Sequence, residues 1–316
     1  MKPFAFVFPG QGSQAVGMLD SWGEHPAVRE TLREASDALG EDLGKLIAEG
    51  PKEALGLTTN TQPVMLVAGV AAYRAWMAET GRAPAVVAGH SLGEYSALVA
   101  SGVLSLAQAA PLVRFRAQAM QDAVPVGVGA MAAILGMEAS RVIEGCAEAL
   151  RTFGPGTSEV VEAVNFNDPM QTVIAGSKAA VEKACEVIKA NGAKRTLPLP
   201  VSAPFHSSLM KPAADKLKEK LAATAFAMPL IPVINNIEVA VETDPERIRA
   251  ALYAQAFGPV RWVECVLAIK ARGISTIVEC GPGKVLAGMV KRIDAEMTGV
   301  AVFDPESLKQ AREALI

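Results

Sequence analysis

The first hydrophobic block, Phe4-Ala5-Phe6-Val7-Phe8, is unbroken by polar positions. A strand buried on both faces has no solvent side, so such a run predicts a strand inside a parallel sheet. A loop, Pro9-Gly10-Gln11-Gly12-Ser13-Gln14, follows it, and Ala85-Val86-Val87-Ala88 and Ser275-Thr276-Ile277-Val278-Glu279 read as further strands. Val64 to Met77 is apolar almost all round, the pattern of a buried helix, with Thr61 as its cap and Pro63 in its first turn. Another helix is expected from about Leu92 to Ser101, stopped by Gly102. Ser105 and Gln108 form a capping box for the next, which Pro111 should kink near its start. Alternation of this kind predicts an α/β fold with a mostly parallel sheet.

The pattern changes in the middle. Ala130–Leu135 reads as a strand, Ala139–Leu150 as a helix, Val160–Val164 and Thr172–Ala175 as strands, Lys178–Asn191 as a helix and Arg195–Leu199 as an extended segment. The order β-α-β-β-α-β is the split βαβ arrangement of a ferredoxin-like unit. It predicts a small subdomain over 127–199, inserted in a larger α/β subdomain made of 1–126 and 200–316, with hinges at Val124–Gly127 and Pro198–Pro204. Helices over Pro212–Ala223, Ile248–Phe257 and Val260–Ala271, a short strand at Val233-Ile234 and a last helix from Lys284 complete the expected elements.

Composition narrows the class. Of 316 residues, 51% are hydrophobic and 20% charged, enough apolar material for a sizeable core. A net charge of −3 gives no reason to expect a nucleic-acid partner. The apolar N-terminus meets Pro9 and Gly10 too soon for a signal peptide, and no stretch reaches the ~18 apolar residues of a membrane span. Cys146, Cys185, Cys265 and Cys280 are widely spaced without a CxxC pair, which suits free thiols in a reducing cytoplasm. Three scattered histidines argue against a histidine metal site. No metal and no cofactor is expected, and monomer is the default state.

Candidate chemistry starts at Gly89-His90-Ser91-Leu92-Gly93, a GxSxG sequence between a predicted strand and a predicted helix. Such a turn exposes the serine hydroxyl at the carboxyl end of the sheet, as in a hydrolase-like core. A serine needs a base to take its proton. His25 lies in a polar stretch and reads as a surface residue, and the His90 ring should point away from Ser91, as a structural or gating residue. His206, in Pro204-Phe205-His206-Ser207-Ser208, is the remaining candidate base. The Leu92 amide is one candidate oxyanion donor, and Gln11, flanked by Gly10 and Gly12, is the other. Arg116 shares helical spacing with Leu112, Phe115 and Ala119, which places it on an apolar, inward stripe with Arg114 turned away. From helix geometry alone, a structural role, in an ion pair with a protein carboxylate or snorkelling to the surface, and the binding of a substrate carboxylate are equally open.

Several motifs recur together: Phe8-Pro9-Gly10-Gln11-Gly12-Ser13-Gln14, Asn60-Thr61-Gln62-Pro63, Gly89-His90-Ser91-Leu92-Gly93-Glu94-Tyr95, Val164-Asn165-Phe166-Asn167, Phe205-His206-Ser207 and Glu279-Cys280-Gly281-Pro282-Gly283. In this order, and over almost the whole chain, they resemble the malonyl-CoA:acyl carrier protein transacylases of bacterial fatty acid synthesis. The resemblance implies that Ser91 takes malonyl from malonyl-CoA with His206 as base, and passes it to the phosphopantetheine thiol of acyl carrier protein. It implies that Arg116 holds the malonyl carboxylate, that Gln11 and Leu92 form the oxyanion hole, and that the main-chain carbonyl of Gln255 orients His206 in place of a triad carboxylate. It assigns Phe205 a part in selecting malonyl over its α-methyl homologue, and leaves His90 beside the substrate.

The carrier protein of that family is acidic, so Lys194, Arg195, Lys284, Lys291 and Arg292 are candidate docking residues. A thioesterase or lipase with the same serine and histidine is the rival reading, and a non-catalytic carrier-protein scaffold is a second. A polyketide-type malonyl transferase differs only in the carrier served; a free-standing chain of this length favours fatty acid synthesis.

Overall fold

The computed structural model describes residues 2–201 and 203–315. Ser202, inside the expected hinge Pro198–Pro204, lies outside them, as does Met1 of the N-terminal apolar stretch. Nine strands are present among the described residues: β1 (Phe4–Phe8), β2 (Val86–Gly89), β3 (Gly129–Leu135), β4 (Val161–Asp168), β5 (Gln171–Ser177), β6 (Arg195–Pro198), β7 (Val233–Ile234), β8 (Thr276–Cys280) and β9 (Thr298–Val302). The helices are α1 (Pro26–Leu39), α2 (Leu43–Glu49), α3 (Lys52–Gly56), α4 (Thr58–Thr80), α5 (Gly93–Ala100), α6 (Leu106–Asp122), α7 (Ala139–Arg151), α8 (Lys178–Ala190), α9 (Lys211–Ala222), α10 (Pro245–Phe257), α11 (Trp262–Ala271), α12 (Val285–Ile293) and α13 (Pro305–Ala314).

The larger sheet has the order β7-β2-β1-β8-β9, and every pairing in it is parallel. β1 is buried at all five positions because helices cover both of its faces. Phe4, Phe6 and Phe8 join one core and Ala5 and Val7 the other, so the unbroken run serves two layers at once. On the first face α4 packs Trp76 edge-on against Phe4 and Phe6, with ring centroids 5.6 and 5.4 Å apart. Gly69 brings α4 down onto the sheet: a Cβ there would sit 3.3 Å from the Phe8 ring.

The smaller sheet is antiparallel, in the order β4-β5-β3-β6. Numbered within this unit alone the strands run 2-3-1-4, the ferredoxin-like order. Its residues alternate as a sheet with two different faces requires. Ala132 and Ile134 of β3 pack beneath α7 and α8, while Met131 and Ala133 face the large core. The smaller sheet is tied at β4 to the link between α10 and α11, where Phe166 N–H donates to Val260 O at 2.9 Å and Val260 N–H to Val164 O at 2.8 Å.

Several expectations need correction. α4 begins at Thr58, so Thr61 is not its cap and Pro63 lies in the second turn. The Thr61 hydroxyl instead lies within donating reach of the Leu55 and Leu57 carbonyls, at 2.5 and 3.0 Å, where α3 runs directly into α4. Helix α12 is not the last element; β9 and α13 follow it. Asp304 and Ser307 form the capping box that starts α13, a signal present in the sequence. His25 is not a surface residue: its ring packs edge-on to Trp22 at 5.7 Å and lies 3.3 Å from the Glu79 carboxylate. Among the described residues no helix is long and apolar enough to cross a membrane.

Candidate active site

β2 delivers the chain to Gly89, and α5 starts at Gly93. The intervening turn is so tight that a Cβ on Gly89 would fall 1.9 Å from the Gly93 carbonyl carbon, and one on Gly93 would fall 2.0 Å from Phe8 O. Only glycine fits either place. Ser91 at the apex has φ +52°, a left-handed conformation that costs a non-glycine residue ~1–2 kcal/mol. Asn236, fully buried just beyond β7, holds this backbone in place. Its Oδ1 accepts from Ser91 N–H at 2.8 Å, and its Nδ2 donates to Gly89 O at 2.7 Å. Asn236→Leu keeps the volume and strips both bonds. It is expected to destabilise the fold by ~2–3 kcal/mol and to lower acylation of every substrate, read by chemical denaturation and single-turnover kinetics; unchanged stability would show the clamp to be idle.

His206 Nε2 lies 2.6 Å from Ser91 Oγ, and His206 Nδ1 lies 2.9 Å from the main-chain oxygen of Gln255. A carbonyl can only accept, so Nδ1 carries the proton and Nε2 is bare, facing the hydroxyl. Burial above all, and then the nearby Arg116 guanidinium, push the His206 pKa down to about 3. The imidazole is therefore neutral at ordinary pH and able to take a proton.

Arg116, on α6, is 1% exposed, which excludes snorkelling. Its Nη1 donates to Gln62 Oε1 at 2.6 Å, and its Nη2 to Gln255 Oε1 at 3.2 Å and Ser91 Oγ at 3.3 Å. All three acceptors are neutral, and among the described residues no ion pair includes Arg116. Arg114, turned outward, pairs instead with Glu41 at 2.7 Å. Burial lowers the Arg116 pKa from its usual value, and charge interaction with Tyr95 and Glu94 opposes that. Glu94 is itself buried, and desolvation raises its carboxyl to about 7.

A cavity of about 270 Å³ opens over Ser91, with Gln11, Leu92, Arg116, Phe205 and His206 in its wall. β3 and β4 of the smaller sheet form the far wall through Met131, Ala133, Asn165 and Asn167. His90 Nε2 contacts Asn167 Oδ1 at 2.8 Å, and its ring meets Trp262 edge-on at 5.6 Å. His90 thus ties the serine turn to β4, and burial lowers its pKa.

The chain matches the model of the acyl transferase domain family over residues 5–303. It is 52% identical to the malonyl CoA-acyl carrier protein transacylase of Escherichia coli (strain K12) over 314 residues, covering 99% of this chain and 100% of that one. It superposes on the crystal structure of the acyl-carrier-protein S-malonyltransferase of Burkholderia pseudomallei 1710b with a TM-score of 0.95, at 63% identity and with 99% and 100% of the two chains covered. A structure of a type II PKS acyl-carrier protein in complex with its malonyl-transacylase is also similar, at 48% identity and a TM-score of 0.95, with 99% and 100% covered. The chain belongs to the malonyl-CoA:acyl carrier protein transacylase family.

As a member of this transacylase family the chain carries polar residues at the site that the sequence reading left without a role. Gln62 and Glu94 stand in motifs without a task of their own there, and Asn236 lies outside every motif. Each left a trace: Glu94 is a lone acid in an otherwise apolar stretch, and Asn236 follows the strand Val233-Ile234 directly, at the carboxyl end of the sheet where α/β proteins build sites. The five basic residues expected to dock a carrier are all exposed. Arg292 is engaged, its Nε donating to Asp168 Oδ2 at 2.8 Å.

Proposed function

We propose that this chain transfers malonyl from malonyl-CoA to the phosphopantetheine thiol of acyl carrier protein in a ping-pong cycle through a malonyl ester on Ser91. The observation that carries the reading is the buried Arg116 guanidinium, 3.3 Å from the Ser91 hydroxyl and supplied only with neutral partners. A buried cation facing a cavity calls for an anion from the substrate. A neutral acyl chain has no use for it, which disfavours the thioesterase or lipase reading.

In the first half-reaction Ser91 Oγ attacks the thioester carbonyl as its proton passes to His206 Nε2. The imidazolium forms with Nδ1–H already directed at the Gln255 carbonyl, which stabilises it without a carboxylate. The Ser91 amide is occupied by Asn236, so the developing oxyanion turns to the Leu92 amide at the head of α5 and to the Gln11 amide. The tetrahedral intermediate collapses, the C–S bond breaks, and coenzyme A leaves with the proton held by His206. In the second half the carrier thiol gives its proton to His206, attacks the ester, and releases Ser91 with its proton restored. Phe205, against His206 in the cavity wall, crowds the α-carbon of the acyl group. The scheme uses no metal or cofactor. The site lies between the segments 1–126 with 200–316 and the segment 127–199, treated as two subdomains. Exposed Lys194, Arg195, Lys284 and Lys291 suit an acidic carrier near its mouth.

Incubation with malonyl-CoA is expected to add one malonyl group, mapped to Ser91 by intact-mass and peptide mass spectrometry, and a carrier thiol should remove it. Folded protein that gains no adduct would favour the scaffold reading.

A further inference from the structure

Gln255 touches His206, Arg116, Ser91 and Glu94. Its carbonyl takes the His206 proton contact, its Oε1 accepts from Arg116, and its Nε2 donates to Ser91 O at 3.0 Å and to Glu94 Oε2 at 2.9 Å. A side-chain amide is directional. Turned end for end, it would set an NH2 against the guanidinium and an oxygen against a carbonyl and a carboxyl. Glu94, together with the Ser91 carbonyl, removes that choice. It is 2% exposed, and the same Oε2 also accepts from Asn236 N–H at 2.9 Å, which pins the acceptor in place.

We infer that Glu94 is a positioning residue for recognition of the acyl carboxylate: with the Ser91 carbonyl it holds the Gln255 side-chain amide in one orientation, and that amide aims Arg116 Nη2 at the Ser91 end of the cavity. The arrangement has a physical reason. A carboxylate paired directly with Arg116 would fix the guanidinium but also neutralise it and compete with the substrate. One amide set between them transmits the orientation and leaves the cation free for an incoming anion. Gln62 Oε1 holds the other nitrogen in the same neutral manner.

The inference rests on the assignment of Arg116 to the malonyl carboxylate, so Arg116→Ala is measured alongside. Glu94→Ala and Glu94→Gln in the full-length enzyme are assayed with malonyl-CoA and acetyl-CoA, with thermal unfolding as the check on folding. Glu94→Ala is expected to raise KM for malonyl-CoA about tenfold with a much smaller change in kcat, and to leave acetyl transfer near its original level. Glu94→Gln keeps an oxygen for Gln255 Nε2 and should recover most of the malonyl affinity. If Glu94→Ala does not fold, Glu94→Asp, whose shorter side chain draws the carboxyl back from Gln255 Nε2, should show the same malonyl-specific rise. Proportional losses on both substrates, or an unchanged KM in a folded variant, would overturn the inference. If Arg116→Ala is malonyl-selective and Glu94→Ala is not, only the role of Glu94 falls; if Arg116→Ala hits both substrates equally, the assignment beneath it falls.

Discussion

His206→Ala is expected to slow acylation of Ser91 by on the order of 10³-fold or more, measured as single-turnover transfer from malonyl-CoA. The imidazole is the only base in hydrogen-bond contact with Ser91 Oγ among the described residues, and its bare Nε2 faces the hydroxyl at 2.6 Å. The fold should survive the change, because the removed ring is neutral and leaves only the Gln255 carbonyl and the cavity-facing Ser91 hydroxyl without their His206 contact. A pH profile sharpens the test. Burial and Arg116 hold the folded pKa at about 3, so the loss of rate from protonating this base belongs well below pH 6.5, the value for an unperturbed histidine. Stability follows the same sign. The unfolded chain takes up the His206 proton below about pH 6.5 and the folded chain does not, so this group's contribution is present above that pH and is lost as pH falls toward 3. Near-normal acylation by His206→Ala would remove it from the mechanism.

Arg116→Ala should separate charged from neutral acyl groups. Loss of a buried guanidinium–carboxylate contact is expected to cost malonyl transfer ~3 kcal/mol, about 10² in kcat/KM, while acetyl transfer changes far less. The asymmetry follows from Arg116 being supplied with neutral oxygens alone. Removal of the side chain also relieves a buried cation, so the variant should not unfold more readily at neutral pH. Equal loss on both substrates in a competition assay would make Arg116 a structural residue.

Much of this was legible in the chain. The Phe4–Phe8 run, the GxSxG turn and the Ser105–Gln108 capping box are local devices, decided by neighbours a few residues apart, and the structure contains each of them. The inward stripe on α6 placed Arg116 inside and Arg114 outside from helical spacing alone. The α4 start is not legible because its N-cap is Leu57, an apolar residue with no side-chain acceptor to mark the helix end. β9 and α13 were passed over although Asp304 and Ser307 announced the second of them.

The sequence by itself determined that a serine stands on a strained turn behind a buried strand, that one histidine remains to serve it, and that an arginine is carried into an apolar interior. These follow from periodicity and from the steric demands of glycine. The tertiary structure decided what surrounds them. Ser91 meets Asn236 across 145 residues and Gln255 across 164, and His90 meets Asn167 across 77. Such contacts depend on which strand ends a sheet brings together, and no local spacing encodes that. Only folding could show that Arg116 is met by two amide oxygens, and that the carboxyl of Glu94 stands one amide away.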